Sequence, residues 1–129
     1  MSTPYTVTVF KSISATSTPF FRDVTVVLER IKTGKDLVLI NEIRLEKEKA
    51  KRNLLKKNLP SICFSGKFRQ RSADNLIAHS SLICLDFDGF KDQEELLLYK
   101  KALCESPEKS RYSMSVILSP SGDGLKVLV

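Results

Sequence analysis

The run Leu82-Ile83-Cys84-Leu85 is apolar and ends abruptly in Asp86-Phe87-Asp88-Gly89. A short apolar stretch bounded by turn-forming residues reads as a buried strand, here from Ser80 to Gly89. The two carboxylates cannot finish inside a core, because an ionised group loses its solvation there. The strand must therefore end at the open rim of a sheet. The segments after Gly89 fit that demand. Asp92 to Cys104 reads as a helix with Leu96, Leu97 and Leu103 on apolar positions, and Tyr112 to Leu118 as a strand. Pro120 to Gly124 reads as a tight turn and Leu125 to Val129 as a further strand. The order β-α-β-turn-β matches the first four elements of a ferredoxin-like, RRM-like unit. In that topology the first and third strands are neighbours, which would bring the aspartates and Lys126 onto one sheet.

Upstream, Thr6 to Phe10 alternates polar and apolar residues and reads as a strand, and Ser12 to Pro19 as a loop. A helix is predicted from Asp23 to Lys32, with Val24, Val27, Leu28 and Ile31 on one stripe and Gly34 ending it. From Asp36 to Pro60 the apolar positions Leu37, Ile40, Ile43, Ala50 and Leu54 predict one long helix. Its basic end, Lys51 to Lys57, is either a solvated face or a track for a nucleic-acid backbone. Ser61 to Ser65 reads as a short buried strand, Gly66 as a turn and Lys67 to Asn75 as a basic loop.

At 129 residues the chain suits one domain, with an overall α/β (α+β) fold. Hydrophobic residues at 42% and charged residues at 28% exclude collagen-like and wholly disordered classes. No apolar run reaches the ~18 residues of a spanning helix. Met1 to Phe10 lacks the charged start and apolar core of a secretory signal, so a cytoplasmic protein is expected, with no membrane partner. Lys and Arg number 21 against 15 acids, a net charge of +6 that suits polyanionic partners. Cys63, Cys84 and Cys104 have no metal-ligand spacing and are expected to be reduced core residues. Because the sequence stops inside its last predicted strand, we expect a longer protein of which this is the front part. We also expect that final strand to be exposed and able to pair with a neighbour, and this stretch alone to be inactive.

Side chains alternate along a strand, so Asp86 and Asp88 would share one face, with Cα atoms ~6.5–7 Å apart, while Leu85 and Phe87 point into the core. Paired carboxylates repel, and a hard divalent cation, Mg²⁺ or Mn²⁺, relieves this while bridging to substrate phosphates. The plain alternative is a strand ending at a surface turn. The segment Ser119-Pro120-Ser121-Gly122-Asp123-Gly124-Leu125-Lys126 adds a glycine-rich turn, two hydroxyls and a lysine, which together suit an anion such as phosphate. The plain alternative here is a hairpin turn. A P-loop is excluded, since no GK[ST] is present after the glycines.

LDFDGF followed by SPSGDGLKVLV resembles motifs I and II of the archaeo-eukaryotic primase-polymerase superfamily. In particular the chain resembles the N-terminal primase-like domain of virulence-associated-protein-E-type replication proteins of mobile elements and prophages. NEIRLEKEKAKRNLLKKNLPSICFSGKF and NLIAHSSLICLDFDGF extend the likeness over most of the chain. The resemblance implies a DNA primase or nucleotidyltransferase domain that joins nucleoside triphosphates on a DNA template with two divalent ions, alongside a fused or associated helicase. It gives Asp86 and Asp88 the catalytic and metal-binding roles. Ser121 matches the motif II serine, so the resemblance makes Ser121 and Lys126 nucleotide contacts, and the turn chemistry adds Ser119, Gly122 and Gly124 as candidate nucleotide-binding residues. Lys126 falls where the family usually has histidine. A third acid is expected beyond Val129. His79 is either a structural residue capping the strand entrance or a nucleotide or template contact, and Arg69 and Arg71 are either template or phosphate contacts or ordinary surface charges. Two other readings stand beside this one. The first is a non-catalytic nucleic-acid- or nucleotide-binding module of the same fold. The second is an aspartate-nucleophile phosphatase, whose DxDGT motif DFDGF resembles except that Phe90 replaces the threonine.

Overall fold

The computed structural model describes residues 5–129. Met1 to Pro4, part of the stretch in which no secretory signal is expected, lie outside the described residues. Five helices and eight strands, all pairing antiparallel, make an α+β fold among the described residues. The chain divides into two compact units, Met1–Leu82 and Ile83–Val129.

In the first unit, β1 (Thr6–Phe10) is the central strand between β2 (Phe20–Asp23) and β3 (Ser61–Cys63). The alternation predicted for β1 is only partly kept, because Val7, Thr8 and Phe10 are all buried. Thr8 is buried usefully. Its hydroxyl donates to Gly66 O at 2.7 Å and accepts from Phe68 N at 2.9 Å, which ties β1 to β4 (Gly66–Phe68). β4 pairs with β5 (Leu76–His79) as a separate hairpin. Gly66 begins β4 rather than simply turning the chain. A Cβ there would collide with the Ala78 carbonyl, so the two backbones can approach only with glycine at this position.

Helix α1 (Val24–Thr33) forms where its stripe and caps predict it. Asp23 accepts from Thr25 N at 2.9 Å, and Gly34, at φ 74°, donates to the last carbonyls. The single long helix expected next is instead two, α2 (Leu37–Leu45) and α3 (Lys49–Lys56). Between them Glu46 and Glu48 are extended, and the Glu46 carboxylate accepts from Glu48 N at 3.0 Å. That side chain offers the backbone a local partner in place of the helical one. The break also moves Glu48 from mid-helix to the N-terminus of α3, where the helix dipole favours an acid. It pairs there with Lys51 at 3.0 Å. Ile43 anchors α2 in the interior, whereas α3 has no buried residue.

The second unit runs β6 (Cys84–Phe87), α4 (Gln93–Glu105), α5 (Pro107–Ser110), β7 (Ser115–Leu118) and β8 (Leu125–Leu128). Its sheet order is β6-β8-β7, the order of the first, third and second strands in the expected ferredoxin-like unit. Asp92 caps α4 by accepting from Glu95 N at 2.8 Å. Leu96 and Leu103 of α4 pack on Leu125 and Val127 of β8, with Phe87, Phe90, Val116 and Leu118 against them.

The structure corrects two expectations in this unit. The last strand is not exposed. β8 is central, paired along its length with β6 and β7, and Leu125, Val127 and Leu128 are buried. Ile83 and Val129 continue the ladder with reciprocal backbone bonds of 3.1 and 2.9 Å. The second correction concerns the apolar run read as a buried strand, in which Ile83 is 58% exposed and Leu85, expected in the core, 42% exposed. Leu85 sits on an edge strand, and the α4 cluster takes in Phe87 but not Leu85. The three cysteines are free, as expected, but Cys63 and Cys84 are only half-buried and Cys104 is exposed.

Candidate metal and nucleotide site

Asp86 and Lys126 face each other across β6 and β8, as register partners. Leu125 and Val127 occupy the α4 side of the sheet, so alternation puts Lys126 on the other side. There its Nζ donates to Asp86 Oδ1 at 2.8 Å. The pair is open to solvent, with 66% of the Asp86 side chain exposed and 37% of Lys126. Cys84, two residues before Asp86, feels both charges. Burial pushes its thiol pKa up, Lys126 pulls it down and Asp86 raises it again.

Asp88 lies one residue past the end of β6 and is exposed. Gly89 comes next at φ 76°, a left-handed conformation that turns the chain away. Asp88 Cβ stands 3.8 Å from where a Cβ on Gly124 would be, so the second aspartate sits beside the glycine-rich turn. Gly124 is needed for that approach, because its Cβ would come within 2.9 Å of Phe87 O.

The turn is closed by its own bonds. Ser119 N donates to Gly124 O at 2.9 Å, and Gly122 N to Ser119 O at 2.9 Å. Ser119 Oγ accepts from Gly124 N at 3.1 Å and contacts Asp123 Oδ1 at 3.3 Å. The amides of Gly122 and Gly124 therefore point into the turn. Ser121 differs, for its hydroxyl oxygen is buried and has no hydrogen-bond partner among the described residues. A buried hydroxyl without a partner costs free energy. No pattern of residue types could have shown which of the two serines would be left unsatisfied.

Asp86 thus pairs with Lys126 at one end of one sheet, and Asp88 Cβ lies beside Gly124 of the turn that also holds Ser119, Ser121 and Gly122. Arg69, Arg71 and His79 belong to the first unit. Arg69 and Arg71 are exposed on the β4–β5 connection, and Arg71 N donates to Thr16 O at 3.0 Å. His79 Nδ1 accepts from Ser81 N at 2.9 Å, and Ser81 has a positive φ of 68°. The imidazole thus supports a strained turn, a structural role. Phe90, at the position where aspartate-nucleophile phosphatases carry threonine, packs into the α4 core with its ring 5.6 Å from that of Tyr99.

Two exposed carboxylates suit a magnesium-type cation, which commonly takes one or two protein carboxylates and completes its shell with water and substrate phosphates. They do not make a protein-only cage, since no group of three or more His, Cys, Asp or Glu is placed to hold a metal among the described residues. Asp86 and Asp88 would hold the ion, and Lys126 pairs directly with the first of them.

No helix among the described residues is long and apolar enough to cross a membrane. No curated protein and no solved structure matches the chain. A family model, described as the BT4734-like N-terminal domain, matches residues 54–129, more than half of the sequence and all of the β6-to-β8 sheet. The chain belongs to the BT4734-like N-terminal domain family.

Proposed function

We propose that this protein binds a nucleoside triphosphate together with Mg²⁺ or Mn²⁺ and serves template-directed nucleotidyl transfer, as a primase-polymerase-like domain of a mobile-element replication protein in the cytoplasm. The observation that carries the reading is the Asp86–Lys126 pair at a sheet end, with Asp88 beside the adjoining serine- and glycine-containing turn. The ferredoxin-like strand order supports it too, because that order joins two segments 40 residues apart. A bound divalent ion would polarise the phosphoryl oxygens and assist deprotonation of the attacking hydroxyl. Asp86 and Asp88 fix the ion's position on a rigid strand end. Lys126 supplies a point charge for phosphate oxygens, and the Ser121 hydroxyl offers a hydrogen bond that no group among the described residues uses. Arg69 and Arg71 suit the template backbone, and a helicase, fused or separate, suits as the partner that opens duplex DNA.

The direct Asp86–Lys126 pair also favours a second reading, in which the same surface binds nucleotide or nucleic acid without catalysis, since the pair already neutralises one metal ligand. Incorporation of labelled nucleotide on a primed or unprimed DNA template, with Mg²⁺ or Mn²⁺, separates the two. The catalytic reading expects metal-dependent product, reduced about a hundredfold or more in Asp86→Ala and Asp88→Ala. Equal product in those variants overturns it. DNA binding with neither product nor metal-dependent nucleotide binding selects the second reading.

A further inference from the structure

We propose that Lys126 is the built-in counter-ion of Asp86 that a divalent cation must displace, so that metal and triphosphate bind this site cooperatively; this rests on the metal and nucleotide function proposed for the site.

Strand register sets up the competition. β8 is held on both sides, so the backbone of Lys126 is fixed opposite Asp86. From there the ammonium reaches Asp86 Oδ1 at 2.8 Å. A cation bound by Asp86 would sit within a few ångströms of that ammonium, and like charges so close repel, an effect that solvent screens only in part. Both cannot keep the carboxylate. The lysine is the one able to yield, because four flexible carbons carry its charge and the side chain is partly solvent-exposed.

Metal alone therefore binds at the expense of an ion pair. A triphosphate arriving with the metal changes this, since its oxygens take up the released ammonium. The attraction that Lys126 gives up at Asp86 is recovered at phosphate. By linkage each ligand then tightens the other by the same factor. Lys126 thus acts twice, first as competitor and then as phosphate contact. A residue that only contacted phosphate would leave the affinity for metal alone unchanged when removed.

The test measures Mn²⁺ binding to the full-length protein by the loss of the free-ion electron paramagnetic resonance signal, with and without a non-hydrolysable nucleoside triphosphate. Wild type, Lys126→Met, Lys126→Arg and Asp86→Asn are compared, each checked for fold by circular dichroism. Removing a solvent-exposed ion pair should let Lys126→Met bind Mn²⁺ alone about two- to fivefold more tightly. The same variant should bind triphosphate more weakly and lose the mutual tightening. Lys126→Arg, which keeps the counter-ion, should bind Mn²⁺ alone as wild type does. Equal Mn²⁺ affinity in wild type and Lys126→Met overturns the counter-ion role while leaving the metal site standing. Absence of Mn²⁺ binding in both, or undiminished binding in Asp86→Asn, removes the metal reading and this proposal with it.

Discussion

Ile83–Val129 lays one long helix on one three-stranded sheet, and Leu96 and Leu103 of α4 pack there on Leu125 and Val127 of β8. Met1–Leu82 distributes three helices among two small sheets and uses a buried hydroxyl, that of Thr8, to join β1 to β4. Both units bury apolar side chains, Val7, Phe10, Val24 and Ile43 among those of the first, but the first adds a buried hydroxyl that stitches strands of its two sheets together. The difference bears on function because a packed sheet end is a rigid platform for charged groups, and rigidity is what a metal or phosphate site requires. In the second unit α4 covers one face of the sheet and leaves the Asp86–Lys126 pair on the other.

The largest effect should come from the packed unit. Leu125→Ala removes a side chain that is 1% exposed at the centre of the cluster, and should cost about 3 kcal/mol in chemical denaturation. Thr8→Val is the matched test of the stitched unit. It leaves Gly66 O and Phe68 N without their partner, and should cost about 2 kcal/mol. If Thr8→Val proves the costlier of the two, the contrast between packing and stitching fails. Gly124→Ala sharpens it further. The added methyl would press on Phe87 O, and about 1–2 kcal/mol of stability should be lost along with nucleotide binding.

Where apolar burial organises a segment, the sequence is readable. Asp92 and the leucines of α4 mark the helix, and Asp23 and Gly34 bracket α1 at its observed ends, whereas the apolar run Leu82 to Leu85 marks the strand although Ile83 and Leu85 are exposed. The strands that escape a reading of the sequence are those formed by pairing without burial. β5 is exposed at all four residues, and β2 at three of four, so neither carries a two-residue period. The expected long helix fails because its apolar positions continue through Glu46–Glu48, while the break depends on one carboxylate bonding one amide. At the site, the spacing of DxD and the lysine after Gly124 are legible. Their direct ion pair is not, since it depends on strand register, and nor is the closure of the turn by Ser119.

Smaller effects concern charge. Lys126→Met should change stability by under about 1 kcal/mol, because the pair is solvent-exposed, even though its effect on ligand binding is plain. The thiols give the smallest signal. Burial raises the pKa of Cys63 and Cys84, so the folded state holds those protons to higher pH than the unfolded chain does. Stability is then unaffected below the free thiol pKa of about 8.5, and falls as pH climbs from there through the raised native values. A disulfide-exchange reagent at neutral pH should label exposed Cys104 first. Lys126→Met should slow Cys84 further, since the lysine lowers that thiol's pKa.

Whether the end of this sheet is a metal site is decided most simply by locating the bound ion. Substoichiometric Mn²⁺ added to isotope-labelled protein with a nucleoside triphosphate broadens the amide resonances nearest to the metal. The expected result is broadening centred on Phe87, Asp88, Gly124 and Lys126, and abolished in Asp86→Asn. Broadening centred elsewhere, or unchanged by loss of the Asp86 carboxylate, would contradict it.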